Sequence, residues 1–161
     1  MICGRVRNAW SGNFSENSMS GKKEKAVLAP ETVEMLMTEA EKARRRAYAP
    51  YSGFSVGAAL LFEDGSVVSG CNVENASYSL SLCAERNAMT TAVAMGLTRP
   101  TAAAVAGPDG VFCPPCGACR QFLAEFNRAM PVIVKDAQGV RVIALDELLP
   151  SGFSLKDGGP Q

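Results

Sequence analysis

Residues 54–72 read FSVGAALLFEDGSVVSGCN. The run 54–62 is short and nearly all apolar, which marks a buried strand. Glu63-Asp64-Gly65-Ser66 carries the Asp-Gly pair of a tight hairpin turn, and 67–72 returns as a second strand. Working outward, 83–97 reads as a helix. Ala88, Met89, Ala92, Val93 and Met95 are available for its buried face, and Gly96 stops it. A third strand at 102–106 leads into a Gly/Pro loop over 107–115. A helix at 117–128 follows, with Phe122, Leu123 and Phe126 as its apolar positions. Strands at 131–135 and 140–144 flank a turn at 136–139, and Asp146 reads as the N-cap of a short helix reaching 149. Upstream, Pro30 and Glu31 open a helix over 31–48. Val33, Leu36, Met37, Ala40 and Ala43 form its apolar stripe, and Arg44, Arg45 and Arg46 a solvated, dipole-matched end. Helices interleaved with strands predict an α/β fold, a three-layer α-β-α sandwich around one five-stranded mixed sheet. The short last turn makes the final two strands antiparallel.

The chain has 161 residues, which suits one domain. The expected organisation is a disordered arm over 1–29, a single catalytic domain over 30–155 and a flexible tail over 156–161. Apolar residues make up 47% and charged residues 20%, an ordinary globular composition. Sixteen basic and sixteen acidic residues cancel, so the basic excess of a nucleic-acid binder is missing. No nucleic-acid partner is expected. No run approaches the length of a membrane span, and residues 1–26 lack the continuous apolar stretch of a secretory signal. A weak likeness to an organelle transit peptide, or a start at Met19, are the other readings of that arm. A reducing cytoplasm is the expected location, and clustered cysteines there are metal ligands before they are disulfides.

The chain contains no histidine. This removes Ser-His-Asp triads, Cys-His pairs and His-ligated metals. Any metal must sit on thiolates or carboxylates. The cysteines are Cys3, Cys71, Cys83, Cys113, Cys116 and Cys119. Cys83-Ala84-Glu85 and Pro115-Cys116-Gly117-Ala118-Cys119 each stand at the start of a predicted helix. Free N–H groups and the positive dipole end favour thiolate there. A Cys-x-x-Cys pair plus a third thiolate from a neighbouring helix leaves one zinc position open, the arrangement of a catalytic zinc. Glu85, two residues from its cysteine, projects beside that position without ligating. A carboxylate so placed can take a proton from water and return it to a substrate.

The segments FSVGAALLFEDG, GCNVENASY, LCAERNA, PCGACRQFLAEF and LLPSGF, in this order, resemble the small free-nucleoside cytidine deaminases over roughly two thirds of the chain. The resemblance implies that family's fold and one Zn²⁺ per subunit, held by Cys83, Cys116 and Cys119. It makes Glu85 the proton shuttle of a hydrolytic deamination of cytidine and 2′-deoxycytidine in pyrimidine salvage. It assigns Asn72 and Glu74 to the sugar hydroxyls, Phe54 to the face of the pyrimidine, the Ala84 N–H to the base carbonyl and the Pro114 carbonyl to the 4-amino group. Arg86 would donate to the zinc-bound sulfurs, softening a net charge of about −1. Ala76, Tyr78 and Phe153 would reach a neighbouring subunit's site in a homotetramer with shared active sites. Glu74 beside the sugar would disfavour a 5′-phosphate.

Four other readings are weighed at this point. A deaminase of a cytosine-nucleoside antibiotic such as blasticidin S shares the zinc core, and a polynucleotide-editing deaminase lacks support in charge. A structural zinc module would use Cys113 as a fourth ligand and close the site. An iron–sulfur run would need a further cysteine at 123, where leucine stands. Cys71 reads as a packed apolar residue and Cys3 as a free thiol.

Overall fold

The computed structural model describes residues 28–155. Of the expected arm over 1–29, residues 1–27 with Cys3 lie outside the described residues, as does the tail over 156–161; Leu28 instead packs against the core and Ala29 is the N-cap of the first helix. The elements run α1 (Pro30–Arg44), β1 (Gly57–Phe62), β2 (Val67–Cys71), a 3₁₀ turn (Tyr78–Leu80), α2 (Ala84–Ala94), β3 (Pro100–Ala106), α3 (Gly117–Ala124), β4 (Pro131–Asp136), β5 (Gly139–Ala144) and α4 (Leu145–Leu148). The sheet order is β2-β1-β3-β4-β5. Only β3 and β4 are parallel. The expected mixed five-stranded sheet is therefore present, and its last two strands are antiparallel.

Strand alternation sorts the core into two layers. Ala59, Ala102, Ala104, Ala106 and Ile133 face Leu36, Met37 and Ala40 of α1. Leu60, Phe62, Ala103, Val105, Val132 and Val134 face the opposite way. They meet Ala88, Met89 and Ala92 of α2, Leu123 of α3 and Leu145 of α4. Small residues bring the helices close. A Cβ at Gly57 would collide with the backbone of Ala40 and Arg44 in α1. One at Gly70 would stand 2.5 Å from the Ala88 nitrogen and 2.9 Å from the Ala84 carbonyl oxygen in α2. The Gly70→Ala variant is therefore expected to lose about 1–3 kcal/mol by overpacking. Denaturant unfolding checks this as a lower midpoint at unchanged m. An unaltered midpoint would mean that α2 does not rest on Gly70.

Several element ends differ from expectation, each for a local reason. The first helix stops at Arg44 rather than 48. Tyr48 instead exchanges backbone hydrogen bonds with Asn72 and Glu74, and Pro50 disfavours helix in the residue before it. The first strand begins at Gly57 rather than 54. Over 54–56 the Asn72 side chain replaces the ladder, accepting from the Val56 N–H at 2.8 Å and donating to the Phe54 carbonyl at 2.9 Å. The third helix ends at Ala124 rather than 128, because the Asn127 side chain bonds the backbone of Pro100 and Ala129. Asp146 is not an N-cap: Ala144 holds that position, and Asp146 lies in the first turn of α4. Val93 and Met95 are exposed, not core. The buried stripe of α2 runs through Ala84, Ala88 and Ala92, Val93 falls past its edge, and Met95 is already the C-cap.

Arg44 also departs from a solvated role. It donates to the Gly107 carbonyl at 2.6 Å and meets Asp109 at 3.2 Å. It thereby ties α1 to the loop after β3.

Candidate active site

Cys83 is the N-cap of α2 and Cys116 the N-cap of α3, and neither cap is made by a side chain. Cys119 lies in the first turn of α3, fully buried. Two helix starts, distant in sequence, therefore point at one spot. The three sulfurs all lie within 4.8 Å of one another. Cys83 and Cys116 stand 3.8 Å apart, Cys116 and Cys119 3.4 Å. Sulfurs on a tetrahedral zinc, each about 2.3 Å from the ion, stand roughly 3.8 Å apart. Donor type, number and spacing thus fit zinc. None of the five described cysteines is in a disulfide.

The electrostatics favour thiolate at this spot. The Cys83 thiol is lowered to about 5, first by the hydrogen bond it receives from Cys119 and then, against burial, by Arg86 and Cys116. Cys119 is pushed up by that same bond and by its burial. Arg86 donates to the Cys83 sulfur at 3.8 Å and to the Ser81 carbonyl at 3.3 Å. Its position behind the sulfurs suits it to offset the negative charge of three thiolates around a divalent ion.

Cys113 does not join the cluster. Its side chain packs against Gly107, where an added Cβ would stand 2.5 Å from the Cys113 Cβ. Burial, with Glu85 and Cys83 nearby, pushes its thiol up to about 11. Among the described residues the cluster has three sulfur ligands, which disfavours a closed, four-sulfur module. Cys71 is half-buried and donates to the Arg46 carbonyl at 3.4 Å.

Glu85 is the one buried charged side chain among the described residues, 3% exposed. Burial, and secondarily the Cys83 charge, raise its pKa above the usual carboxylate value. It faces a cavity of about 240 Å³ whose wall also includes Phe54, Asn72, Glu74, Ala84 and Pro114, with Cys83 and Cys116. The residues singled out from sequence for base and sugar, with Glu85 and two of the three metal cysteines, therefore surround one space, and Cys119 lies behind it in the cluster. Ala76, Tyr78 and Phe153 do not line it. Tyr78 and Phe153 are 71% and 59% exposed, and Tyr78 stacks edge-on against Tyr51 at 6.0 Å.

Two supporting residues escaped the sequence reading. Arg120 donates to the Pro115 carbonyl at 2.7 Å and the Leu148 carbonyl at 2.8 Å, pinning the turn that delivers Cys116. Ser52 lines the cavity and bonds Glu74. The available signals were weak: an arginine next to a ligand cysteine, and a hydroxyl in a Pro/Gly turn.

Comparison with known proteins agrees with this geometry. Residues 30–135 match the family described as the cytidine and deoxycytidylate deaminase zinc-binding region. The cytidine deaminase of Sporosarcina psychrophila is 48% identical over 127 residues, covering 78% of this chain and 93% of the relative. That of Mycobacterium tuberculosis H37Rv is 45% identical over 123 residues, covering 76% and 90%. The crystal structure of cytidine deaminase from Burkholderia pseudomallei superposes with a TM-score of 0.71 at 47% identity, covering 74% of this chain and 98% of that one. With its three-thiol cluster and buried Glu85 in the matched region, the chain belongs to the cytidine and deoxycytidylate deaminase family.

Proposed function

We propose that this protein hydrolyses cytidine and 2′-deoxycytidine to uridine and 2′-deoxyuridine with release of ammonia, a step of pyrimidine salvage. One observation carries the reading: a buried carboxylate, Glu85, opens with two of three clustered thiols into a cavity sized for a small molecule. Cys83, Cys116 and Cys119 would hold a zinc ion, which would supply the Lewis acidity that makes water nucleophilic near neutral pH. Glu85 takes a proton from the attacking water, hands it to N3 of the ring as C4 is attacked, and serves the departing amine. Phe54 packs on the pyrimidine. The Ala84 N–H meets the base carbonyl, and the Pro114 carbonyl faces the 4-amino group. Asn72 and Glu74 take the sugar hydroxyls.

Exposed Tyr78 and Phe153, with Ala76, serve a neighbouring subunit's cavity in a homotetramer. Their exposure as aromatics outside their own chain's cavity supports this. Light scattering of the purified protein checks it as a mass four times that of one chain. A reducing cytoplasm suits a site built on thiolates. No helix among the described residues is long and apolar enough to cross a membrane.

The decisive assay follows the ultraviolet change as cytidine is offered. A second arm offers blasticidin S, whose preferential turnover would replace the nucleoside reading. A third tests the phosphate. Among the described residues the cavity wall carries Glu74 and Glu85 and no lysine or arginine. Cytidine 5′-monophosphate is therefore expected to show kcat/KM at least about tenfold below cytidine, a difference of about 1.4 kcal/mol. Equal values would remove Glu74 as the element that discriminates against phosphate.

A further inference from the structure

Glu74 leaves the β2 end fixed at both backbone and side chain. Its N–H donates to the Tyr48 carbonyl at 2.8 Å. Its Oε2 accepts from the N–H groups of Tyr51 at 2.9 Å and Ser52 at 3.2 Å. Its Oε1 accepts from the Ser52 hydroxyl. The same Ser52 oxygen accepts from the Phe54 N–H at 2.9 Å. Phe54 in turn is tied through its carbonyl to Asn72. Ser52 Oγ thus stands between the carboxylate assigned to the sugar and the aromatic assigned to the base.

A carboxylate offers about four lone-pair sites. Three are taken in this arrangement, and the remaining one is on Oε1. The two backbone donors hold only Oε2. Without the Ser52 hydroxyl, Oε1 has two open sites and the carboxylate plane loses its second anchor. These three donors also hold the Glu74 carboxyl below its usual pKa, with the Ser52 hydroxyl as the largest cause.

We propose that Ser52 is a positioning residue that aims the last free lone pair of Glu74 at a sugar hydroxyl, and so sets selectivity for substrates that carry one. The inference rests on the nucleoside reading above. It is specific about route: Ser52 acts through Glu74 and the sugar, not through the zinc cluster or the base.

The experiment measures kcat and KM for the wild type, Ser52→Ala, Ser52→Thr, Glu74→Gln and the double variant Ser52→Ala/Glu74→Gln. Each is offered cytidine and 2′,3′-dideoxycytidine, and thermal melts accompany each. Ser52→Ala is expected to raise KM for cytidine about tenfold with kcat within about twofold, the size of one hydrogen bond to a charged group. Ser52→Thr, which keeps the hydroxyl, recovers most of the loss. On dideoxycytidine the Ser52→Ala change in KM stays below about twofold. In the Glu74→Gln background it adds little further, because coupled residues are not additive. An equal penalty on both substrates would overturn the proposal, leaving Ser52 as a support for the Phe54 turn. An unchanged KM on cytidine would overturn it too. Wild-type protein inert on cytidine would instead sink the function reading itself.

Discussion

Glu85→Gln is expected to lower kcat for cytidine by on the order of 10²–10⁴-fold, the usual contribution of a positioned general acid–base, while zinc stays bound at one per chain. The glutamine matches the carboxylate in shape, so it fills the same 3%-exposed site in the first turn of α2. It removes the one property the proposed role of Glu85 needs, a proton that can be taken up and given back. Metal content and thermal midpoint separate chemistry from structure. Zinc retained with activity lost assigns Glu85 to proton transfer. Zinc lost along with activity would make Glu85 a support of the cluster and remove it from the reaction. Glu85→Asp is a useful second arm. It keeps a carboxyl but draws it back by one methylene, and misplacement on that scale is costly to a proton shuttle. An aspartate variant as active as wild type would show that the position of the carboxyl is not fixed by α2.

The cysteine cluster and the carboxylate beside it were legible in the sequence because short-range spacing decides them. Cys116-x-x-Cys119 at a helix start places both sulfurs on one side. Cys83 and Glu85 are close enough in sequence that their separation survives any error in helix length. The hairpin was legible for the same reason: Asp64 and Gly65 are a local signal, and the turn forms with Gly65 at φ 85° and Ser66 bonded to Asp64. What the sequence could not tell depends on distant partners. The end of α1 depends on Tyr48 finding Asn72 and Glu74. The end of α3 depends on Asn127 finding Pro100. Arg44 looked like surface charge until Gly107, far along the chain, lay beside it. Arg120 looked ordinary until Leu148 was folded against α3. Val93 and Met95 misled because apolar character alone does not say where a helix leaves the sheet.

These distant contacts converge on the site. Gly70 lets α2 settle on β2 at Ala84 and Ala88, which fixes the turn holding Glu85. Arg120 fixes the turn holding Cys116. Arg44 anchors Gly107, against which Cys113 packs as part of the cavity wall. The helix starts bring thiolates and positive dipole ends together, and the sheet edge at Asn72 and Glu74 brings hydrogen-bonding groups. The cavity lies where these meet. Its polarity is therefore divided between sulfur with a buried acid and the hydrogen-bonding side chains of Asn72 and Glu74.

Cys116→Ala is expected to abolish zinc binding and activity together, whereas Cys113→Ser keeps one zinc per chain. The contrast follows from position. Cys116 stands 3.8 and 3.4 Å from the other two cluster sulfurs, while Cys113 packs against Gly107 outside the cluster. Two remaining thiolates cannot hold the ion as three do. A site filled at a thousand times its Kd contributes about 4 kcal/mol to stability, so its loss lowers the thermal midpoint by on the order of 10 °C for a chain of this size. Metal analysis and melting curves, with and without added zinc, read both effects. Added zinc raises the midpoint of chelator-stripped wild type and of Cys113→Ser, and leaves Cys116→Ala unmoved. A Cys113→Ser protein that loses its metal would make this cysteine a fourth ligand, close the open position and end the case for hydrolysis at this site.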